Sequence, residues 1–187
     1  MAPRILAFAG STREDSFNKK LVRIAAAAAG ATLIDLRDFP LPLFDGDLEA
    51  KEGLPPHAKR FKTLLLEHDG LLIASPEYNS SISGVLKNAI DWASRSESGE
   101  APLAPFAGKV AALMSASPGA LGGLRGLVHL RSILGNIKVL VLPDQVAISK
   151  AAEAFTPEGA LKDPRQQASV EKLALGLVEI VRKLKGS

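Results

Sequence analysis

The sequence predicts an α/β fold, a three-layer sandwich built on a five-stranded parallel sheet. Three observations carry that expectation. Short apolar runs alternate with amphipathic segments along the whole chain, and four of the five runs are almost uninterrupted, as strands covered on both faces require. The third is size: 187 residues, 47% of them hydrophobic and 23% charged, supply the core of a single domain spanning 1–187.

Ile5-Leu6-Ala7-Phe8-Ala9 forms the first strand. Phe17, Leu21, Ile24 and Ala28 then recur at helical spacing, and Gly30 ends that helix as a C′ residue does. Leu33-Ile34 is the second and shortest strand, followed by an irregular stretch over 38–55. A helix over 56–67 leads to the third strand, 71–74, and a helix over 83–93 leads to the fourth, 110–114. A helix over 123–134 precedes the fifth strand, 139–142, after which a second irregular stretch runs over 143–164. The last helix, 165–185, aligns Val170, Leu173, Leu177, Val181 and Leu184 on one face. Right-handed crossovers in this order give a doubly wound sheet, and five strands suit the flavodoxin-like order 2-1-3-4-5. Ligands of such sheets lie beyond the carboxyl ends of strands one, three and four. The two long stretches carry prolines, glycines and Phe39, Phe44 and Phe155, and loops of that length are either functional, interfacial or packed down by their own apolar residues.

Composition excludes several function classes. The pI is about 9.2, but the net charge is only +3 and basic residues are interspersed with acidic ones. The one basic excess, Arg182-Lys183-Leu184-Lys185, closes the last helix, where cations complement the helix dipole. No nucleic-acid partner is expected. No run approaches the ~20 apolar residues of a membrane span, and a secretory leader is missing, so no membrane partner and a cytoplasmic address are expected. With no cysteine, any redox chemistry must come from a bound cofactor. His57, His68 and His129 fall in helical segments away from the ligand edge, and no two share a metal-ligand spacing, so no metal site is expected. No G-x-S-x-G elbow occurs and no side chain is placed as a catalyst.

Three loops collect at the carboxyl edge instead. The first, Gly10-Ser11-Thr12-Arg13-Glu14-Asp15-Ser16-Phe17-Asn18, joins a strand to a helix, where free N–H groups and the helix dipole favour an anion. Hydroxyls, the Asn18 amide and Arg13 suit a terminal phosphate, although an ordinary N-capped helix with Ser16 as cap is the alternative. The turn lacks the glycines of G-x-G-x-x-G and the lysine of a P-loop. The second, Pro76-Glu77-Tyr78-Asn79-Ser80-Ser81, carries the only tyrosine beside an amide and a carboxylate, a set able to flank a flat heteroaromatic. The third, Ser117-Pro118-Gly119-Ala120-Leu121-Gly122-Gly123, lets backbone approach a ligand closely.

Gly10-Ser11-x-Arg13-x-x-Ser16-x-Asn18, then Pro76-Glu77-Tyr78-Asn79-x-Ser81 leading into Leu86-Lys87-Asn88-Ala89-Ile90-Asp91-Trp92, then Ser117-Pro118-Gly119-x-x-Gly122-Gly123, resemble the NADPH-dependent FMN reductase family, which includes quinone and chromate reductases and some azoreductases. Phe155-x-x-Glu158-Gly159 also fits, so the resemblance spans nearly the whole chain. It implies bound FMN, with NADPH or NADH as electron donor and a small-molecule acceptor. Ser11, Arg13, Ser16 and Asn18 would hold the phosphate; Pro76, Glu77, Tyr78 and Asn79 would line the isoalloxazine; Ser117, Gly119 and Gly122 would close its other side. It also implies a homodimer or homotetramer, for which Trp92, Arg95 and the two long stretches are the candidate surfaces. A flavodoxin-like electron carrier or non-catalytic flavin-binding module is the alternative reading.

Overall fold

In the computed structural model, which describes residues 2–186, the chain runs β1 (Ile5–Ala9), α1 (Phe17–Ala29), β2 (Thr32–Ile34), α2 (Gly46–Glu52), α3 (Pro56–Glu67) and β3 (Gly70–Ala74). A two-stranded hairpin, β4 (Glu77–Tyr78) and β5 (Ser81–Ile82), precedes α4 (Gly84–Ala93) and β6 (Val110–Ala116). Then come α5 (Leu124–Asn136), β7 (Leu140–Ile148), the single turn α6 (Ala151–Ala154) and α7 (Pro164–Lys185). The main sheet is parallel throughout in the order β2-β1-β3-β6-β7. With the hairpin set aside, that is the flavodoxin-like order.

Strand periodicity divides the core into two layers. Ile5, Ala7 and Ala9 of β1, Leu72 and Ala74 of β3, and Val110, Ala112, Met114 and Ala116 of β6 face α1 and α7. Leu6, Phe8, Leu71, Ile73, Ala111 and Leu113 face α3, α4 and α5. Small residues on the first face let α1 sit low on the sheet, presenting Leu21, Val22, Ala25 and Ala26. The central strands β1, β3 and β6 are buried along their whole length, which is why the sequence shows unbroken apolar runs there.

Both stretches expected to be irregular contain regular structure. The 38–55 stretch holds α2, started by Asp45, whose carboxylate accepts from the Asp47 N–H at 2.9 Å. Trp92 anchors this excursion: its Nε1–H donates to the Pro42 carbonyl at 2.8 Å and Phe44 meets it edge-on, ring centroids 5.0 Å apart. Asn88 brackets the same turn, accepting from the Phe44 N–H and donating to the Pro42 carbonyl, both at 2.8 Å. Trp92 is fully buried by its own chain, and Arg95 is spent on Glu49 at 2.9 Å. The Trp92 ring is therefore not exposed to a neighbour as the sequence suggested, while Arg95 stays exposed.

The fifth strand also runs past its expected end at 142, through Pro143, to Ile148. Its register against β6 slips by two residues between the Ala111 and Leu113 pairings, so the proline falls in a bulge of an edge strand, where a missing N–H costs little. Arg131 of α5 collects the carbonyls that the bulge turns away from the ladder. Its guanidinium donates to Val141, Leu142 and Pro143 oxygens at 3.3, 2.7 and 3.4 Å, and to Gln145 Oε1 at 3.1 Å. Arg131→Ala strips these acceptors of their donor and lowers unfolding free energy by about 2 kcal/mol. Urea denaturation should show a lower midpoint with an unchanged slope.

Candidate functional site

The loops after β1, β3 and β6 meet at one edge of the sheet and line a common groove. Ser11, Arg13, Ser16, Phe17, Asn18, Pro76, Glu77, Tyr78, Ala116, Ser117 and Pro118 form its walls, and Asn79, Gly119 and Gly122 are not among them. The enclosed volume is only about 60 Å³, against roughly 300–1,000 Å³ for an enclosing ligand pocket.

Three polar ties hold the loops in register. The Asn18 side chain, almost fully buried, donates to the Ala116 carbonyl at 2.9 Å and accepts from the Ala116 N–H at 3.0 Å, binding the first loop to the third. Ser83 donates to the Gly10 carbonyl at 2.6 Å and caps α4 by accepting from Leu86 N–H at 3.2 Å, binding the first loop to the second. Glu77 accepts from Arg125 at 2.6 Å and from the Gly126 N–H at 3.1 Å, binding the second loop to the first turn of α5.

The anion site fits a phosphate. Ser16 occupies the N-cap position of α1 without using its hydroxyl as a cap, so the first-turn N–H groups stay available and the alternative of a self-capped helix fails. The first helical turn carries no acidic residue, and Glu14 and Asp15 of the preceding turn are exposed. Ser11 Oγ accepts from the Arg13 N–H at 3.2 Å, folding the turn back on itself, while the exposed Arg13 guanidinium has no protein partner among the described residues. Asn18 differs from the rest of the set, because its side-chain oxygen and one of its N–H groups are committed to Ala116.

The second loop is a tight hairpin rather than an open turn. Asn79 and Ser80 take positive φ of 50° and 64°, the geometry of a two-residue I′ connection, which sets the half-exposed Tyr78 opposite Ser81. Glu77 faces away from open solvent and serves as a strut. Burial pushes its pKa up, but the Arg125 guanidinium and the Gly126 and Arg125 N–H groups outweigh that and hold it below the ordinary value. In the third loop a Cβ on Gly119 would meet only Ser117 Oγ, at an ordinary 3.8 Å. Gly122, at φ +61°, does not: a Cβ there would lie 2.8 Å from the Ile148 carbonyl carbon and the Ser149 nitrogen. Its glycine serves close packing against the end of β7.

His129, expected to lie away from the loops, reaches the second one: its Nδ1 is 2.9 Å from Ser81 Oγ. The reason is that α5 packs across the hairpin, which was not legible as an element. Gly126 in the preceding turn makes the crossing possible, since a Cβ there would come 3.2 Å from the Ser81 carbonyl oxygen. Among the described residues no cluster of three or more metal-ligating side chains occurs.

A doubly wound sheet whose first, third and fourth core strands end in polar loops, with an unpaired arginine at the first, defines a flavodoxin-like mononucleotide-binding protein. Comparison with known proteins narrows this. The chain belongs to the NADPH-dependent FMN reductase family, whose profile matches residues 3–153. It is 39% identical over 186 residues to an NAD(P)H-dependent FMN reductase of Pseudomonas aeruginosa, covering 98% of this chain and 97% of the relative. It is 35% identical over 191 residues to an NADPH:quinone oxidoreductase of Arabidopsis thaliana, covering 98% and 94%. Among solved structures it matches FerB, a flavoenzyme NAD(P)H:(acceptor) oxidoreductase of Paracoccus denitrificans, with a TM-score of 0.82 at 29% identity over 97% of this chain and 98% of that one.

The strut makes stability depend on pH. Because the folded pKa of Glu77 is depressed, its contribution is complete above the unfolded value and is lost as pH falls through the folded one. Glu77→Gln should therefore melt below the wild type at pH 6–7, with the gap closing under about pH 4. Thermal melts across pH check it.

Proposed function

We propose that the protein is an FMN-dependent NAD(P)H oxidoreductase that passes a hydride from the reduced nicotinamide to a small-molecule acceptor. The observation that carries it is the groove shared by three loops, with Arg13 unpaired at its anion end. Bound FMN would supply the redox chemistry. Residues of the chain orient and bind. Arg13, the hydroxyls of Ser11 and Ser16, and the first-turn N–H groups of α1 hold the phosphate. Tyr78 and Asn79 on the hairpin, Pro76 beside them, and Ser117 and Gly119 opposite flank the ring, while Glu77 and Asn18 keep those walls in place. No side chain need exchange a proton with the substrate.

A quinone suits the electron balance: NAD(P)H, one solvent proton and a quinone give NAD(P)+ and a hydroquinone. Chromate-type oxyanions, azo compounds and free flavin are further acceptors for the same site, and a cytoplasmic location, where reduced nicotinamide is available, completes the reading. Arg13→Ala should weaken FMN binding by about 10- to 100-fold, the worth of a charge-assisted phosphate contact, and leave the melting temperature of the apoprotein unchanged. Wild-type affinity in the variant would reject the phosphate assignment.

We also propose a homo-oligomer, dimer or tetramer. Support comes from a surface other than the one read from the sequence. Leu121, Leu124 and Val128 form an exposed apolar row at the start of α5, next to the hairpin that carries the half-exposed Tyr78. A neighbour seated there would cover the open side of the groove. Val128→Asp places a charge in that row and should shift the protein to monomer in light scattering, with a fall in turnover.

A further inference from the structure

A second cavity, of about 440 Å³, is lined by Thr12 of the first loop. Its walls are Leu36, Phe39, Pro40 and Leu41 from the segment after β2, and Val85, Asn88 and Ala89 from α4. Thr12 and Arg37 complete the lining. Four features of this cavity point to one ligand.

The lining is mainly apolar and includes an aromatic ring: Phe39 sits against Phe61 with centroids 5.7 Å apart and carries the Arg60 guanidinium 5.1 Å from its own centroid. Such a wall accepts a flat heterocycle. Arg37 is the only charged residue in the lining, and no carboxylate shares it. Its Nε–H donates to Asp35 at 3.3 Å, which aims the fork, while neither Nη group has a hydrogen bond among the described residues. Finally, Thr12 lines this cavity while its chain neighbours Ser11 and Arg13 line the groove, so the two sites adjoin across one turn.

We propose that this cavity receives the 2′-phosphoadenosine end of NADPH, with Arg37 pairing with the 2′-phosphate and Pro40, Leu41 and Val85, backed by the buried Phe39, packing against the adenine. The inference rests on the oxidoreductase reading above and deepens it, since it selects NADPH over NADH. The donor is two nucleotides long, so a nicotinamide over the flavin leaves an adenosine half to be placed elsewhere. Dinucleotide sites that take NAD put a carboxylate on the ribose hydroxyl, whereas those that take NADP put an arginine on the added phosphate. An arginine fork with no acidic neighbour in the lining belongs to the second kind. Asn88 contributes shape only, because both ends of its amide are spent on residues 42 and 44.

The test uses the FMN-loaded protein and two probes, adenosine 2′,5′-bisphosphate and 5′-AMP, titrated by calorimetry. The bisphosphate should bind about tenfold or more tightly than 5′-AMP, compete with NADPH in steady-state turnover, and leave FMN bound. Arg37→Ala should erase the preference between the two probes and raise the ratio of KM for NADPH to KM for NADH by a similar factor. If that variant does not fold, Val85→Phe, which fills the cavity from α4, should weaken both probes in parallel. Equal binding of the two probes to the wild type, a preference that survives in Arg37→Ala, or release of FMN by the bisphosphate would each overturn the proposal. Failure of the oxidoreductase reading looks different: the protein would take up no FMN at all.

Discussion

The amide of Asn18 is the contact on which the site depends. It satisfies a buried backbone N–H and a buried carbonyl of the same residue, Ala116, so its loss would leave two polar groups unpaired in the interior. It spans from the first turn of α1 to the end of β6. The first and third loops are therefore tied together before any ligand arrives, an arrangement that lowers the ordering entropy lost on binding. Ser83 and Glu77 extend the same logic to the hairpin. Each of these side chains bonds to backbone, so the loops are held by groups that their own sequence variation cannot remove.

The layered fold was legible because its causes are local and repetitive. Unbroken apolar runs mark strands buried on both faces, and Phe17, Leu21 and Ile24 mark a helix with one buried face. The three loops were legible too, since polar and glycine-bearing turns at strand ends follow from the strand assignment. Turn geometry and register were not. A two-residue hairpin at Asn79-Ser80 has none of the glycine that usually signals an I′ turn, and its four strand residues are too few to show alternation. Pro143 reads as a stop, and only the bulge clasped by Arg131 makes it a passenger in a longer strand.

Roles within the site separated in the same way. Arg13 and Ser16 stand where the sequence put them because an anion site at a helix start is a property of the local chain. Glu77 was legible as a groove residue but not as a strut, and Gly122 packs against β7 instead of lining the groove, because both contacts are defined by residues far away in sequence: Arg125 and Gly126 for one, Ile148 and Ser149 for the other. His129 was missed for the same reason. A signal was present, since Arg125, Gly126 and His129 lie one turn apart on one helix and together make a surface with a base, a cation and room for backbone.

The chain has a single tryptophan, and the 41–54 excursion lies over it. Trp92 is thereby a built-in optical reporter. Its emission should be blue and shielded from a dissolved quencher while Pro42 and Phe44 stay seated, and should redden as soon as that flap lifts. Peptide circular dichroism, by contrast, follows the helices of both layers. Any temperature at which the two signals part company would mark a partly opened molecule whose sheet is still intact, a state visible without labelling a residue.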